Sequence, residues 1–168
     1  MRPPRRAVPA LTLLIMLTAG CTADDLPPRV AGPTPAPSAS LPPADACNAA
    51  VTRIALPTWA RTGFSGDGTG APHVLSERGD LVAVLFEYPP VASADPQLGS
   101  KILWVSRLPQ EPMQPLRIQA DLDGTTTSVK REIPGGPGPS SVQLPLAGCW
   151  RLALSWSGHE DRMTLQFS

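Results

Sequence analysis

The residues of this chain that could support acid–base or nucleophilic catalysis are few and widely spaced. The only two histidines are His73 and His159. A hydrolase of the serine type needs a histidine within hydrogen-bond reach of the nucleophilic hydroxyl, and Ser65 and Ser157 would meet one only through the tertiary fold. The sequence therefore predicts no enzyme and no catalytic residue, with a hydrolase as the least favoured alternative.

The same histidines are the weak candidates for a metal site. Imidazole nitrogen and thioether sulfur suit copper, and His73 and His159 are joined by Met113 and Met163 in the folded part of the chain. The four residues are scattered, however, and Met163 alternates with apolar residues that are expected in the core. We predict no metal and no cofactor, and we keep copper or zinc binding as the alternative function.

Two further segments have the composition of an ion-binding or phosphate-binding loop. Asp121 and Asp123 resemble the start of a calcium loop, but the other oxygen ligands and the distal glutamate are missing. A hairpin turn at Asp123-Gly124 explains them better. The glycine-rich segment 65–70 lacks the lysine and the following helix of a phosphate-binding loop, so we interpret it as a flexible surface loop.

The first 20 residues are typical of an export signal. Three arginines within the first six residues precede an apolar run over residues 7–17, which is shorter than the roughly 20 residues needed to span a bilayer. Thr18-Ala19-Gly20-Cys21 resembles the bacterial lipobox. That resemblance implies cleavage after Gly20 and acylation of Cys21; the alternative is an ordinary signal peptide with Cys21 unmodified.

A lipidated Cys21 would decide where the protein works. Each buried acyl methylene contributes about 0.8 kcal/mol, and two or more chains give stable anchoring. We predict a protein held at the cell membrane through the lipid bilayer, facing outside the cytoplasm. Removing residues 1–20 leaves 11 basic and 14 acidic residues, a net charge of −3, and neither this charge nor export suits a nucleic-acid partner.

The sequence divides into a signal peptide at residues 1–20, a tether at 21–46 and a folded domain at 47–168. Residues 22–45 contain seven prolines and no aromatic residue, so this segment is not expected to bury enough apolar surface to fold, and we expect it to be disordered or extended. All eight aromatic residues lie at or after Trp59. The hydrophobic core is therefore expected in the C-terminal part.

Cys47 and Cys149 remain once Cys21 is assigned to the lipid. In an oxidising, exported setting such a pair indicates a disulfide. Its loop of about 100 residues would stabilise the domain by about 4–5 kcal/mol in the chain-entropy model. Two free buried thiols are the alternative.

The folded domain shows strand patterns and no helical periodicity. The run 81–88 is almost continuously apolar, which is typical of a strand buried on both faces or at the centre of a sheet. Elsewhere apolar and polar residues alternate. We interpret the charged residues 130–132 and 160–162 as faces exposed to solvent. The expected strands cover residues 81–88, 101–107, 116–120, 125–133, 142–144, 150–156 and 163–167.

Seven or eight short strands separated by turns predict an all-β fold, either an antiparallel sandwich or a barrel, and we favour the β-sandwich. We expect it to be immunoglobulin-like. In that fold a tryptophan lies on its own strand between the two cysteines, a part that Trp104 could play, whereas Cys149-Trp150 adjacency departs from the pattern.

Three segments carry a resemblance to a family. Ile54–Trp59, Lys101–Arg107 and Gly148–Leu152 are similar to segments of a family of actinobacterial lipoproteins, and the similarity covers most of residues 50–168. The resemblance implies a β-fold and a location in the cell envelope. It implies no activity and no site residues.

These observations favour a membrane-anchored, non-catalytic binding or interaction module. Its partner would be an envelope protein, a wall polymer or a small ligand. The exposed loops 65–73 and 134–140 are the expected contact residues.

Overall fold

The structure, a computed structural model, describes residues 47–48, 50–95 and 97–168. The predicted signal peptide, Cys21 and the proline-rich tether lie outside the described residues. Eight strands form two antiparallel four-stranded sheets, so the predicted all-β sandwich is confirmed at this level. No helix in the described ranges is long and apolar enough to cross a membrane.

Sheet A has the strand order β1-β2-β3-β6, and sheet B has the order β5-β4-β7-β8. The strands are β1 His73–Leu75, β2 Leu81–Leu85, β3 Ser100–Ser106, β4 Leu116–Leu122, β5 Ser128–Ile133, β6 Pro139–Val142, β7 Gly148–Trp156 and β8 His159–Phe167. A short 3-10 helix covers Thr58–Ala60.

The core lies between the sheets because alternate residues of the long strands β4 and β7 and of the second half of β8 are apolar. In β7 the side chains of Trp150, Leu152, Leu154 and Trp156 all point inward and are buried. They meet the inward residues of sheet A, which include Ile102 and Trp104. This period of two is the property of a strand that places one set of side chains on each face.

Strand β2 is buried on both faces, as its apolar run predicts. Its inward residues join the main core, whereas Val82 and Val84 face the other side. There they pack with Leu56 and Ala60. The segment before β1 therefore covers the outer face of sheet A.

The two ends of the sandwich carry different loops. We call one the disulfide end, because Cys149, the second residue of β7, lies there. Its sulfur lies 2.06 Å from that of Cys47, the predicted partner. We call the other the far end. The loops of the disulfide end are 86–99, 123–127 and 143–147, and those of the far end are 76–80, 107–115, 134–138 and 157–158.

Some strand boundaries differ from those expected. The short strand β1 was not expected, and it exists because His73 and Leu75 pair with β2. The strand expected at 142–144 is instead β6 at Pro139–Val142. Proline is tolerated there because β6 is an edge strand, where a ladder hydrogen bond is not required of every residue.

Candidate functional site

The two histidines lie in separate surroundings. His73 is buried on β1, and its Nδ1 atom lies 2.9 Å from the carbonyl oxygen of Ala71. His159 lies at the far end, with Nε2 3.2 Å from the carbonyl oxygen of Pro109 and its ring beside Trp156. Neither histidine has a serine or carboxylate among its hydrogen-bond partners in the described part of the chain.

The other predicted chemistry-bearing residues have structural partners. The Ser157 hydroxyl accepts a hydrogen bond from the backbone N–H of Glu111 at 2.9 Å. Asp121 accepts the hydroxyl of Ser128 at 2.6 Å. Asp123 forms an ion pair with Arg151 at 2.7 Å, beside the predicted hairpin turn between β4 and β5.

The structure does not bring the metal candidates together. Met163 is buried in the core and Met113 is 90% exposed. Among the residues with described placement, no three of histidine, cysteine, aspartate and glutamate group as ligands would.

The loops expected to contact a partner do not form one surface. Residues 134–138 lie at the far end. The segment 65–70 lies beside Leu56, which covers the outer face of sheet A. That segment is held by hydrogen bonds from Leu56 N–H to Asp67 O and from Gly70 N–H to Arg53 O. Its interpretation as a flexible loop is therefore not supported by its contacts. The expected ranges also run into strands, at His73 and at Pro139.

Asp67 organises this segment further. Its carboxylate accepts hydrogen bonds from the Thr69 hydroxyl at 2.7 Å and the Thr69 N–H at 3.0 Å. The hydroxyl bond contributes most to holding the pKa of Asp67 below its ordinary value. Gly68 follows with φ +77°, and a Cβ atom there would lie 2.5 Å from the Leu56 side chain. Glycine is therefore required at this position.

The expectation of a solvated face at 160–162 is wrong for Asp161. Its side chain points inward from β8 and is 4% exposed. The carboxylate accepts hydrogen bonds from the hydroxyl of Ser76 at 2.5 Å and from the backbone N–H groups of Arg78, Asp80 and Arg162 at 2.7–3.2 Å. It thus joins the turn 76–80 of sheet A to the edge strand of sheet B.

We call this arrangement the Asp161 clasp, formed by Ser76, Arg78, Asp80 and Asp161. Burial alone would raise the pKa of Asp161, but the bonds from the Ser76 hydroxyl and the three backbone N–H groups outweigh burial and lower the pKa. A carboxylate that accepts several hydrogen bonds is stabilised in its charged form. The Asp161 carboxylate is therefore occupied by hydrogen bonds within the domain and has a structural role.

The outer face of sheet B is a polar surface to which all four of its strands contribute. Three rows of side chains cross it, and each row takes one residue from each of the four strands. The rows are Glu132–Arg117–Ser155–Glu160, Lys130–Gln119–Ala153–Arg162 and Ser128–Asp121–Arg151–Thr164.

The middle row differs from its neighbours in its charges. In the first row Arg117 pairs with Glu132 at 3.4 Å. In the third row Asp121 accepts the hydroxyl of Ser128, and Arg151 pairs with Asp123. Lys130 and Arg162 stand at opposite ends of the middle row, and no described acidic side chain lies within ion-pair distance of either. Both are exposed.

A concavity of about 790 Å³ lies over this face. Its floor includes Gln119, Ala153 and Ser155, and the turn of the Asp161 clasp contributes Glu77 and Arg78 to its wall. Strands are spaced about 4.8 Å apart, so the two ends of the middle row are about 14 Å apart at the backbone. Such a surface can hold an extended segment that carries two anionic groups.

The sequence carries a local signal for this exposed face. The polar residues that alternate with the core residues of β4, β5, β7 and β8 predict an exposed face for each strand. Their alignment into rows depends on the pairing of β4 with β7, whose partners lie 28 to 38 residues apart in the chain.

No family model, no curated protein and no solved structure matches the chain. The similarity to actinobacterial lipoproteins therefore remains a prediction.

Proposed function

We propose that this protein is a lipid-anchored lipoprotein of the cell membrane whose folded domain is a non-catalytic binding module outside the cytoplasm. The outer face of sheet B is its contact surface. The anchor rests on the lipobox resemblance at Cys21, and the binding role rests on the exposed, unopposed charges of the middle row.

One observation carries the choice of this face. Lys130 and Arg162 project from the two edges of sheet B on either side of the small residue Ala153. Neither cation forms an ion pair with a described acidic side chain, so each can bind an anionic group of a ligand, and the small central side chain leaves room for a bound segment. Exposed ion pairs such as Arg117–Glu132 contribute about 0–1 kcal/mol, so a ligand can exchange with them at low cost.

The partner that fits is an envelope protein segment with carboxylate side chains. Lysine and arginine bind carboxylate and phosphate groups by charge-assisted hydrogen bonds, so an anionic wall polymer shares the same chemistry. The acidic side chains on the same face, Glu132 and Glu160 among them, favour a polypeptide that also carries basic residues over a uniformly anionic polymer.

Photo-crosslinking in cells tests this proposal. A photoreactive residue at Ser155, in the concavity, should capture a partner in the lipidated protein. Lys130→Glu should reduce the captured partner at least five-fold, and Ala153→Tyr, which fills the floor, should do the same. Lys101→Glu, an identical change on an exposed lysine of sheet A, is the matched control and should leave capture unchanged.

The outcomes separate the alternatives. Capture of one protein that depends on Lys130 supports a protein partner, whereas capture of wall material with the same dependence assigns the face to an anionic polymer. Equal loss in the Lys101→Glu control, or no effect of Lys130→Glu and Ala153→Tyr, would reject sheet B as the contact surface.

We also propose that the sandwich is immunoglobulin-like with one added strand. If β2 to β8 are named A, B, C, C′, E, F and G, the sheets have the orders A-B-E and C′-C-F-G, and β1 is an extra edge strand beside A. This order agrees with the distribution of strands in that fold.

Two residues depart from the immunoglobulin pattern. Trp104 lies on β3, the B position, whereas the conserved tryptophan of that fold lies on strand C. Cys149 is on the F position, but its partner Cys47 precedes the first strand. An experimental structure that pairs β3 with β4 in one sheet would overturn the proposal.

A further inference from the structure

Exposed apolar side chains are concentrated at the disulfide end of the domain. Four of the seven large apolar residues that are exposed in the described part of the chain lie on its loops. Three, Phe86, Val91 and Leu98, belong to the loop 86–99, and the fourth is Leu146. Phe86 and Leu98 are 65% and 63% exposed.

The two loops that carry these residues are fastened to each other and to the body of the domain. The N–H of Ser93 donates to the carbonyl of Leu144 at 2.8 Å, and the N–H of Val91 donates to the Ser100 hydroxyl at 2.7 Å. The carbonyl of Leu146 accepts the indole N–H of Trp150 at 2.9 Å. The apolar residues are thus displayed on held backbone.

The loop 86–99 is also the longest connection between the described strands. Long ordered loops in compact domains are commonly functional. Its charged residues are Glu87 and Asp95, and neither it nor the loop 143–147 contains lysine or arginine. The two loops are therefore apolar with a weak negative charge, and the basic residues that contact them are Lys101, whose carbonyl accepts the N–H of Phe86, and Arg131, which donates to the carbonyl of Gln143.

This end is where the chain outside the described domain is attached. Cys47, the first described residue, is bonded to Cys149 at the start of β7. A lipid on Cys21 would be joined through 25 intervening residues to the end that carries the exposed apolar side chains. Tethering raises the local concentration of a surface near its target, so a weak apolar contact becomes effective.

We propose that the disulfide end docks on the lipid surface, with Phe86, Val91, Leu98 and Leu146 in contact with the bilayer. This inference rests on the lipid anchor proposed above, and goes beyond it by assigning the domain an orientation. The far end then points away from the membrane, and the outer face of sheet B stands at its side, accessible to a partner.

Energy transfer from the tryptophans to the membrane tests the docking. The full lipidated protein is reconstituted in phosphatidylcholine vesicles that contain a dansyl-labelled phospholipid. All four tryptophans lie in the domain, and Trp150 lies beside the proposed contact. Phe86→Ser/Leu98→Ser should lower transfer at least two-fold. Leu75→Ser/Met113→Ser, which changes two exposed apolar residues of the far end, is the matched control and should not.

Vesicle flotation and the unfolding midpoint are measured on each variant. If the protein floats, all variants keep the wild-type midpoint and only Phe86→Ser/Leu98→Ser loses transfer, docking is supported. If the protein floats and both double variants transfer like wild type, the docking is overturned while the anchor stands. If neither the wild-type protein nor the Cys21→Ala variant floats, the proposed anchor is wrong, and the proposed docking fails with it. Transfer that rises when anionic phosphatidylglycerol is added would overturn the apolar mechanism, because it would indicate electrostatic attraction.

Discussion

The two ends of this sandwich are closed by different chemistry. At the disulfide end a covalent bond joins Cys47 to β7, across 102 positions of sequence. At the far end the Asp161 clasp joins the turn 76–80 to β8 through hydrogen bonds to one buried carboxylate. The first closure acts on the segment before β1, which also pairs with His73 through Thr52, and the second acts between a turn of sheet A and the edge strand of sheet B.

The two closures stabilise the fold through different states, the unfolded chain for the disulfide and the folded domain for the clasp. A disulfide acts mainly by restricting the unfolded chain. The clasp acts in the folded state, where a charged acceptor satisfies donors that would otherwise be buried without partners. Removing each should therefore give a different size of effect and a different dependence on pH.

The largest effect is expected from the disulfide. Cys47→Ala/Cys149→Ala should lower the free energy of unfolding by about 4–5 kcal/mol, the chain-entropy value for a loop of this length. Urea unfolding of the oxidised protein and the double variant measures the loss. A loss below about 1 kcal/mol would contradict the assignment of this closure to restriction of the unfolded chain.

The next effect is expected from the clasp. Asp161→Ala leaves the Ser76 hydroxyl and the N–H groups of Arg78 and Asp80 without their acceptor, and it should cost about 3 kcal/mol. Glu160→Ala changes the exposed neighbour on the same strand and should stay within about 0.5 kcal/mol. Equal losses in the two variants would contradict the burial of Asp161.

Ser76→Ala should have a smaller effect. The Ser76 hydroxyl donates to Asp161 and accepts the N–H of Leu81 at 3.0 Å. Its removal breaks two hydrogen bonds but leaves the carboxylate three backbone donors, so we expect a loss of about 1–2 kcal/mol. In a double-mutant cycle with Asp161→Ala the two losses should not add, and additivity would separate the serine from the clasp.

The smallest effect is one of pH. Because the folded state lowers the pKa of Asp161 below its ordinary value of 3.8, the unfolded chain binds the proton more readily. The contribution of Asp161 to stability is therefore present above about pH 4 and is lost as the pH falls through the lowered folded pKa. The stability gap between wild type and Asp161→Asn, from urea unfolding at several pH values, should narrow below pH 4. The disulfide variant should keep the wild-type pH dependence, and a gap that widens on acidification would reverse the assigned shift.

Much of the fold could be predicted from local patterns. The alternation in β7 and β8, the apolar run of β2 and the turn at Asp123-Gly124 each depend on neighbours within a few residues. These patterns predicted a sandwich of the observed class and the pair Cys47–Cys149. They did not predict β1, because three residues carry too little periodicity to be recognised.

The candidate surface could be predicted only in part. Lys130 and Arg162 were expected to be solvated, and both are exposed. Their places at opposite ends of one row follow from the order β5-β4-β7-β8. Such an order depends on contacts between residues distant in sequence, which one strand pattern does not encode.

The burial of Asp161 depends on its own strand and on the opposite sheet. The sequence predicts a period of two in β8 from residue 163 onward, and because the strand begins earlier, at His159, the same period places Asp161 on the side of Met163 and Leu165. Whether a charged residue on that side is tolerated depends on the turn 76–80, which supplies its hydrogen-bond donors from the opposite sheet. The strand sets the direction of the side chain, whereas only the packing of the two sheets provides the donors that make burial of its charge favourable.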